Sequence, residues 1–90
     1  MPSYLVETYL ARGDAGERTR REQRARSAAK ELTQEGIPIH FEGSIHVPED
    51  ELCFFTFSAP SGREAAFTAQ RAGLHPFRVV EAEASTEGEA

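Results

Sequence analysis

The sequence of 90 residues predicts one α+β domain in which two helices are interspersed among four strands. Segments rich in β-branched and aromatic residues flank two segments that carry small apolar residues at helical spacing. Each helical segment begins at a capping box and ends before a glycine. Apolar residues make up 39% of the chain, which suits one compact core, and the length is too short for two domains.

The first half of the chain predicts a strand, a long helix and a second strand. Residues 4–10 form the first strand because they are rich in β-branched and aromatic side chains. Asp14 and Glu17 have capping-box spacing, so the first helix starts there and runs to about Glu35. Residues 39–47 alternate in polarity, which predicts the second strand. The apolar stripe of the helix is Ala25, Ala28, Ala29 and Leu32.

The second half predicts a strand, a helix and a last strand. A proline-containing turn leads into a third strand over residues 52–59, so the second and third strands form a hairpin. Ser61 and Glu64 make a second capping box and start the second helix. The last strand covers about residues 77–83. Residues 84–90 are expected to form an acidic flexible tail.

The element order β-α-β-β-α-β predicts a ferredoxin-like sandwich over residues 1–83, built from two split βαβ units. Right-handed crossovers place both helices on one side of a four-stranded antiparallel sheet. The other side is left uncovered, and large apolar residues there predict a partner. We therefore expect a homodimer that packs sheet on sheet, as a dimeric α+β barrel does.

Composition and charge argue against several kinds of partner and of cellular location. The chain carries 10 basic and 15 acidic side chains, and its net charge of −5 disfavours the binding of nucleic acid. The arginines of residues 18–26 are expected to pair with acids on an exposed helix. No apolar stretch is long enough for a membrane helix, and no signal-peptide layout is present. A single cysteine, Cys53, fits a reducing cytoplasm.

The alternation of the hairpin predicts which side chains lie on the uncovered side. If Val47 pairs with Leu52 across the turn, His46 lies opposite Cys53. Glu7 is placed on the uncovered side because burying it without a partner would be costly. The side chains expected there are Leu5, Tyr9, Phe55 and Phe57, which would line an interface or cavity, together with Glu7, His40, Glu42, His46 and Cys53. Those expected under the helices are Ile39, Phe41, Ile45, Val47, Leu52 and Phe54.

Some of these side chains are candidate metal ligands. Directly opposed residues on antiparallel strands have Cβ atoms about 5 Å apart, so His46 and Cys53 could share a soft divalent ion. His40 and Glu42 lie two residues apart on one strand, and His75 precedes the last strand. The alternative for the first pair is an ordinary cross-strand contact with Cys53 as a small buried residue, and spacing alone favours that alternative.

Several short runs in the chain are similar to those of a known family. They are His40-Phe41-Glu42, Cys53, Ala59-Pro60-Ser61 at a helix start and Gly73-Leu74-His75-Pro76 before the last strand. From Tyr4 to about Glu83 the chain resembles the small bacterial nickel-binding, nickel-responsive ferredoxin-like proteins. The resemblance implies a dimer through the sheet and nickel bound by histidines near the interface. His40, Cys53 and His75 stand at matching positions.

The leading functional hypothesis is a small cytoplasmic ligand- or metal-binding protein, with a divalent transition metal such as nickel as its cofactor. Its site would lie on the uncovered side of the sheet at a dimer interface. One alternative is a small-molecule enzyme of the dimeric α+β barrel type, a monooxygenase, isomerase or cyclase, with Glu7, Tyr9 and His46 as its polar groups. Another is a non-catalytic interaction module. The sequence favours a protein that is not an enzyme.

Overall fold

The computed structural model describes residues 1–83, and the predicted acidic tail at 84–90 lies outside the described residues. The predicted ferredoxin-like α+β order is confirmed. The elements are β1 (Ser3–Tyr9), α1 (Ala15–Gln34), β2 (His40–Val47), β3 (Leu52–Ser58), α2 (Gly62–Arg71) and β4 (Arg78–Ala82), with a 3-10 turn at Pro48–Asp50. Neither helix of this part of the chain is long and apolar enough to cross a membrane.

The four strands form one sheet in the order β2-β3-β1-β4, and every neighbouring pair is antiparallel. The central strands are β1 and β3, and the edges are β2 and β4. Both helices pack on the same side of this sheet, where alternate residues of the central strands are buried. The other side of the sheet carries no layer from the described residues.

Both predicted capping boxes start helices. The Asp14 carboxylate accepts the Glu17 backbone N–H at 3.3 Å, which satisfies one of the free donors of α1. At α2, the Ser61 hydroxyl accepts the Glu64 N–H at 3.4 Å and donates to the Glu64 carboxylate at 2.7 Å. The predicted stripe of α1 is buried against the sheet; its members are Ala25, Ala28, Ala29 and Leu32. The small alanines let the helix approach the strands closely.

The edge strand β2 contains a β-bulge that the strict alternation of its sequence hides. The predicted register with β3 holds over residues 43–47, and the pairs of Phe41 and His40 are off by one residue. There Phe41, and not Glu42, lies opposite Phe57. The extra residue is accommodated next to Gly43, whose φ of +153° is a conformation that favours glycine. The bulge therefore moves Phe41 onto the same side of the sheet as Ser44.

The core lies between the helices and one side of β1 and β3. The buried residues of these strands and their ends are Tyr4, Val6, Thr8 and Leu10, and Cys53, Phe55, Phe57 and Ala59. The Phe41 ring joins them from β2, with its centroid 5.3 Å from that of Phe57. The Arg26 guanidinium lies 5.5 Å from the Phe41 centroid and covers the ring from α1. The core is thus aromatic on the sheet side and built of small residues on the helix side.

The predicted sidedness is confirmed for β1 and wrong for most of the hairpin. Leu5, Glu7 and Tyr9 lie on the uncovered side as predicted. The placement of Phe55 and Phe57 as interface lining on that side is wrong, since both are fully buried under the helices. The same inversion applies to six more residues of the hairpin. His46 and Cys53 belong to the helix side, while Ile45, Phe54, Val47 and Leu52 belong to the uncovered side.

The cause of the inversion is that the two strands of the hairpin favour opposite sides. The alternation of β2 favours a core that contains Ile45, which pairs with Phe54. In β3, the set with Phe55 is entirely apolar, whereas the set with Phe54 also contains Thr56 and Ser58. The set that includes Phe55 and Phe57 has more volume to place against α1 and α2, and burial of aromatic rings is the larger gain. The packed core therefore takes the larger set and leaves Phe54 on the other side.

Two alanine substitutions in β3 test this sidedness. We expect Phe55→Ala to lower the free energy of unfolding by about 3–5 kcal/mol, because it empties a fully buried site. Phe54→Ala is the matched control on the next residue and should cost about 2 kcal/mol or less, because that ring is only partly buried. The free energy of unfolding is measured by urea titration, at a protein concentration low enough that further dilution no longer changes the midpoint of the transition. A larger loss for Phe54→Ala would contradict the assignment.

Candidate functional site

We define the open face as the uncovered side of the sheet. Its residues stand in rows that cross the strands from β2 to β4. The rows are His40-Ser58-Ser3-Ala82, then Gly43-Thr56-Leu5-Val80, then Ile45-Phe54-Glu7-Arg78, and last Val47-Leu52-Tyr9. Glu42, the extra residue of the bulge, lies beside Gly43 on the same side. The first two rows carry mostly small or polar side chains, and the last two carry bulky ones.

The bulky end of the open face is a contiguous apolar patch. Ile45 is 59% exposed and Tyr9 is 58% exposed. Phe54 and Leu52 lie between them and are partly buried by their neighbours. Contiguous apolar surface of this kind is typical of protein–protein interfaces and ligand-binding grooves.

An ion pair lies within this apolar end. Glu7 stands between Phe54 and Arg78 in the third row, and its side chain is only 15% exposed. The Arg78 Nε contacts the Glu7 Oε2 and compensates its charge. The contact lacks hydrogen-bond geometry, so within residues 1–83 this buried oxygen has a charge partner but no hydrogen-bond donor. Arg78 itself is 64% exposed and remains available at the surface.

The small end of the open face contains a hollow of about 450 Å³. It exists because Gly43, Ser3 and Ala82 leave space that larger side chains would fill. Leu5 and Ile45 wall it on the side of the bulky rows. Two acidic residues, Glu42 and Glu83, also line it, and the Glu42 carboxylate accepts the Ser3 hydroxyl at 2.9 Å. The hollow combines apolar walls with a few polar groups, as ligand pockets commonly do.

His46 and Cys53 lie opposite each other as predicted, but under the helices. The His46 Nε2 is 3.4 Å from the Leu10 carbonyl oxygen, and Cys53 is fully buried. Burial raises the pKa of the Cys53 thiol, and the nearby Arg18 and Arg21 offset this only in part. A thiol held protonated in this way is a poor nucleophile and a poor metal ligand.

A polar cluster next to this pair was not foreseen from the sequence. Arg18 donates from Nε to the Ser44 hydroxyl at 3.0 Å and from Nη2 to the Ser44 carbonyl at 3.1 Å. The Ser44 hydroxyl in turn donates to the Glu22 carboxylate. Arg21 donates to the Tyr9 carbonyl at 2.7 Å, so two of the arginines expected in solvent instead tie α1 to the sheet. The sequence did not show this role, because Ser44 was assigned to the uncovered side together with its partner Phe55.

The five predicted metal ligands fall in three separate places. His46 and Cys53 lie on the helix side, whereas His40 and Glu42 are exposed on β2. His75 lies between α2 and β4, at a positive φ of 51°. Within residues 1–83 no group of three or more histidine, cysteine or acidic residues could hold a metal ion.

The residues of the enzyme alternative are not brought together. Glu7 and Tyr9 are neighbours on the open face. His46 belongs to the opposite side of the sheet, with the sheet between it and the other two. A catalytic set of these three side chains from one chain is therefore excluded by their placement.

Comparisons with known proteins show the fold. No protein-family model and no curated protein matches the chain. Among solved structures, the crystal structure of SCO4226 from Streptomyces coelicolor A3(2) superposes with a TM-score of 0.69 and 17% sequence identity. The match covers 93% of this chain and 99% of the other. At this identity the likeness establishes a shared ferredoxin-like architecture.

The burial of Cys53 has a measurable consequence. We expect an aromatic disulfide reagent to label the folded protein at least about a hundredfold more slowly than the urea-unfolded chain, because the thiol is buried and its raised pKa lowers the thiolate fraction. The release of the coloured thiol, followed at a fixed mildly alkaline pH, measures both rates. Equal rates for the two states would place Cys53 at the surface and contradict the observed sidedness.

Proposed function

We propose that this chain is a small ligand-binding protein that acts as a homodimer, with two open faces packed together and the ligand held on that face. The observation that carries the proposal is the open face itself, where an apolar patch adjoins a hollow of about 450 Å³. We place this function in the cytoplasm, where the free Cys53 stays reduced.

The size of the open face supports a dimer. Four strands about 4.8 Å apart, with up to eight residues at about 3.3 Å each, present on the order of 500 Å². Two such faces together bury about 1,000 Å², which meets the lower limit of a specific interface. The side chains of Ile45 and Tyr9 add relief and apolar contact at its bulky end. Exposure of this apolar surface to water is unfavourable, so its burial between two copies would stabilise the dimer.

A charge placed on the open face tests the dimer. We expect the wild-type protein to be dimeric and Ile45→Glu to weaken association at least about tenfold, because it buries an unpaired carboxylate at the interface. Phe67→Glu is the control, since Phe67 is 44% exposed on α2, on the other side of the molecule. Light scattering over a concentration series measures association. A wild-type monomer at every concentration would remove the dimer from the proposal.

A divalent transition metal, with nickel first, is the second candidate ligand. The chain's resemblance to nickel-binding ferredoxin-like proteins supports it, and so does the exposure of His40 and Glu42 on β2. Imidazole and carboxylate together can ligate nickel, zinc or copper. One chain supplies fewer than three clustered ligands among residues 1–83, so this site would take ligands from both copies. Such a metal would link ligand binding to dimer formation.

Calorimetric titration with nickel, zinc and copper tests the metal. If a metal binds, His40→Ala should lose the binding heat, because His40 is the exposed imidazole of β2. His46→Gln should keep it, since that ring lies on the helix side of the sheet. The absence of both heat and thermal shift with all three ions would end the metal part of the proposal. It would leave the ligand site in the hollow untouched.

A further inference from the structure

We infer that the hollow of the open face binds a small organic ammonium ion, an apolar body of several carbons that carries one protonated amine. This inference rests on the proposed ligand site and adds the chemical class of the ligand. It follows from three properties of the hollow: its apolar walls, its two acidic residues and the engagement of the nearest arginines elsewhere.

The walls of the hollow fit the apolar body. Leu5 and Ile45 present aliphatic side chains, and Ala82 adds a methyl group. The space beside Gly43 is empty, since a Cβ built at this residue would meet no atom within 4 Å. A volume of about 450 Å³ is within the range of small-molecule pockets.

The Glu42 carboxylate is directed into the hollow. Glu42 belongs to the edge strand β2, yet one of its oxygens accepts the hydroxyl of Ser3 on β1. The side chain therefore reaches across β3 toward the middle of the sheet. Its other oxygen has no hydrogen-bond partner among residues 1–83. Ser3 pairs with Ala82, and Glu83, the residue after β4, is a second acidic residue that lines the hollow.

The arginines nearest to the hollow are engaged elsewhere. Arg18 bonds to Ser44 on the helix side. Arg78 pairs with Glu7, four residues or about 13 Å along β4 from Ala82. In the part of the chain that the structure describes, neither Glu42 nor Glu83 forms an ion pair. The hollow thus carries uncompensated negative charge over apolar walls.

An ammonium ion with an apolar body matches both the apolar walls and the negative charge of the hollow. Its N–H groups would donate charge-assisted hydrogen bonds to the free oxygen of Glu42 and to Glu83. Its carbons would cover Leu5 and Ile45. An anion of the same shape would be repelled by the two carboxylates. A neutral molecule would gain the apolar contact alone.

A matched set of three probes tests the inference: cyclohexylammonium, cyclohexanol and cyclohexanecarboxylate. Their binding is followed by ¹H–¹⁵N NMR, with the amides of Gly43 and Thr56 as reporters of the hollow. We expect the ammonium to bind at least about tenfold more tightly than the alcohol, and the carboxylate to bind most weakly. Added salt should weaken the binding of the ammonium.

Two variants separate a specific contact from general charge. Glu42→Gln should weaken cyclohexylammonium at least about fivefold, because it removes the free carboxylate oxygen but keeps the shape. Glu49→Gln, in the exposed turn between β2 and β3, makes the same change in net charge and should leave the affinity unchanged. Equal effects of the two variants would overturn the inference.

The outcomes also distinguish this inference from the proposed function. If cyclohexanol binds in the hollow as tightly as the ammonium, the ammonium class is wrong and the ligand site stands. If none of the probes shifts the Gly43 and Thr56 amides, the inference is wrong. Light scattering on the same samples then decides the dimer independently. A protein that neither binds a probe nor dimerises would fail both proposals.

Discussion

The bulge at Glu42 and Gly43 is the constraint on which both sides of the sheet depend. By adding one residue to β2, it turns Phe41 toward the core and keeps Ser44 on that same side. The Phe41 ring then packs 5.3 Å from Phe57. It also leaves two successive residues, Glu42 and Gly43, opposite Thr56 on the open face. The carboxylate and the empty space of the hollow are therefore products of a single local irregularity.

The bulge is held in place from the helix side. Arg18 and Glu22, one turn apart on α1, both bond to Ser44 immediately after the bulge. These bonds satisfy polar groups that lie next to the core and would otherwise cost free energy. Because charged partners strengthen them, they fix the edge strand against α1. An edge strand with a fixed bulge is also a poor template for unwanted pairing with other chains.

The elements of this fold can be predicted from sequence because their signals are local. Asp14 and Ser61 accept the expected backbone N–H groups, and glycines follow both helices. The stripe around Leu32 repeats at helical spacing and is buried as predicted. The sidedness of β1 follows from Glu7, since one charged residue in an apolar strand settles its orientation.

The sidedness of β2 and β3 could not be predicted in the same way. In β3, the apolar set with Phe55 favours one side, but the alternation of β2 favours the side of Phe54, and packing against the helices decides between them. In β2, the alternation continues unbroken in the sequence while the bulge shifts the pairing by one residue. The shift depends on Phe41 finding space in the core, which is a tertiary effect. The hollow depends on this shift, and so it had no sequence signal.

The arginines of α1 are explained by the domain itself. Hydrogen bonds from Arg21 and then Arg20 lower the pKa of Glu17, so this carboxylate is ionised at neutral pH and compensates both. Arg24 donates to the Ala72 carbonyl at 2.9 Å and joins α1 to the end of α2. Arg71, the last residue of α2, also binds Glu35, which directly follows α1. This hydrogen bond lowers the pKa of Glu35. The arginine cluster of α1 thus serves the packing of this helix against α2 and the sheet.

The two ends of the open face connect ligand binding to the symmetry of the proposed dimer. An isologous interface brings each face against its own copy. With the two-fold axis along the strands, like rows meet, so the two hollows face each other and form one chamber with two copies of Glu42. With the axis across the strands, the bulky end with Ile45 and Tyr9 of one copy covers the hollow of the other.

These two arrangements have opposite thermodynamic consequences. In the joined chamber, the carboxylates of both copies repel one another until a cation is bound, so ligand and dimer stabilise each other by linkage. In the covered arrangement, the side chain of Ile45 occupies the space of the ligand, so ligand and partner compete. Once a cation is bound, the charge of Glu42 and Glu83 favours the joined chamber, because in the covered arrangement an apolar side chain would desolvate these acidic residues without compensation.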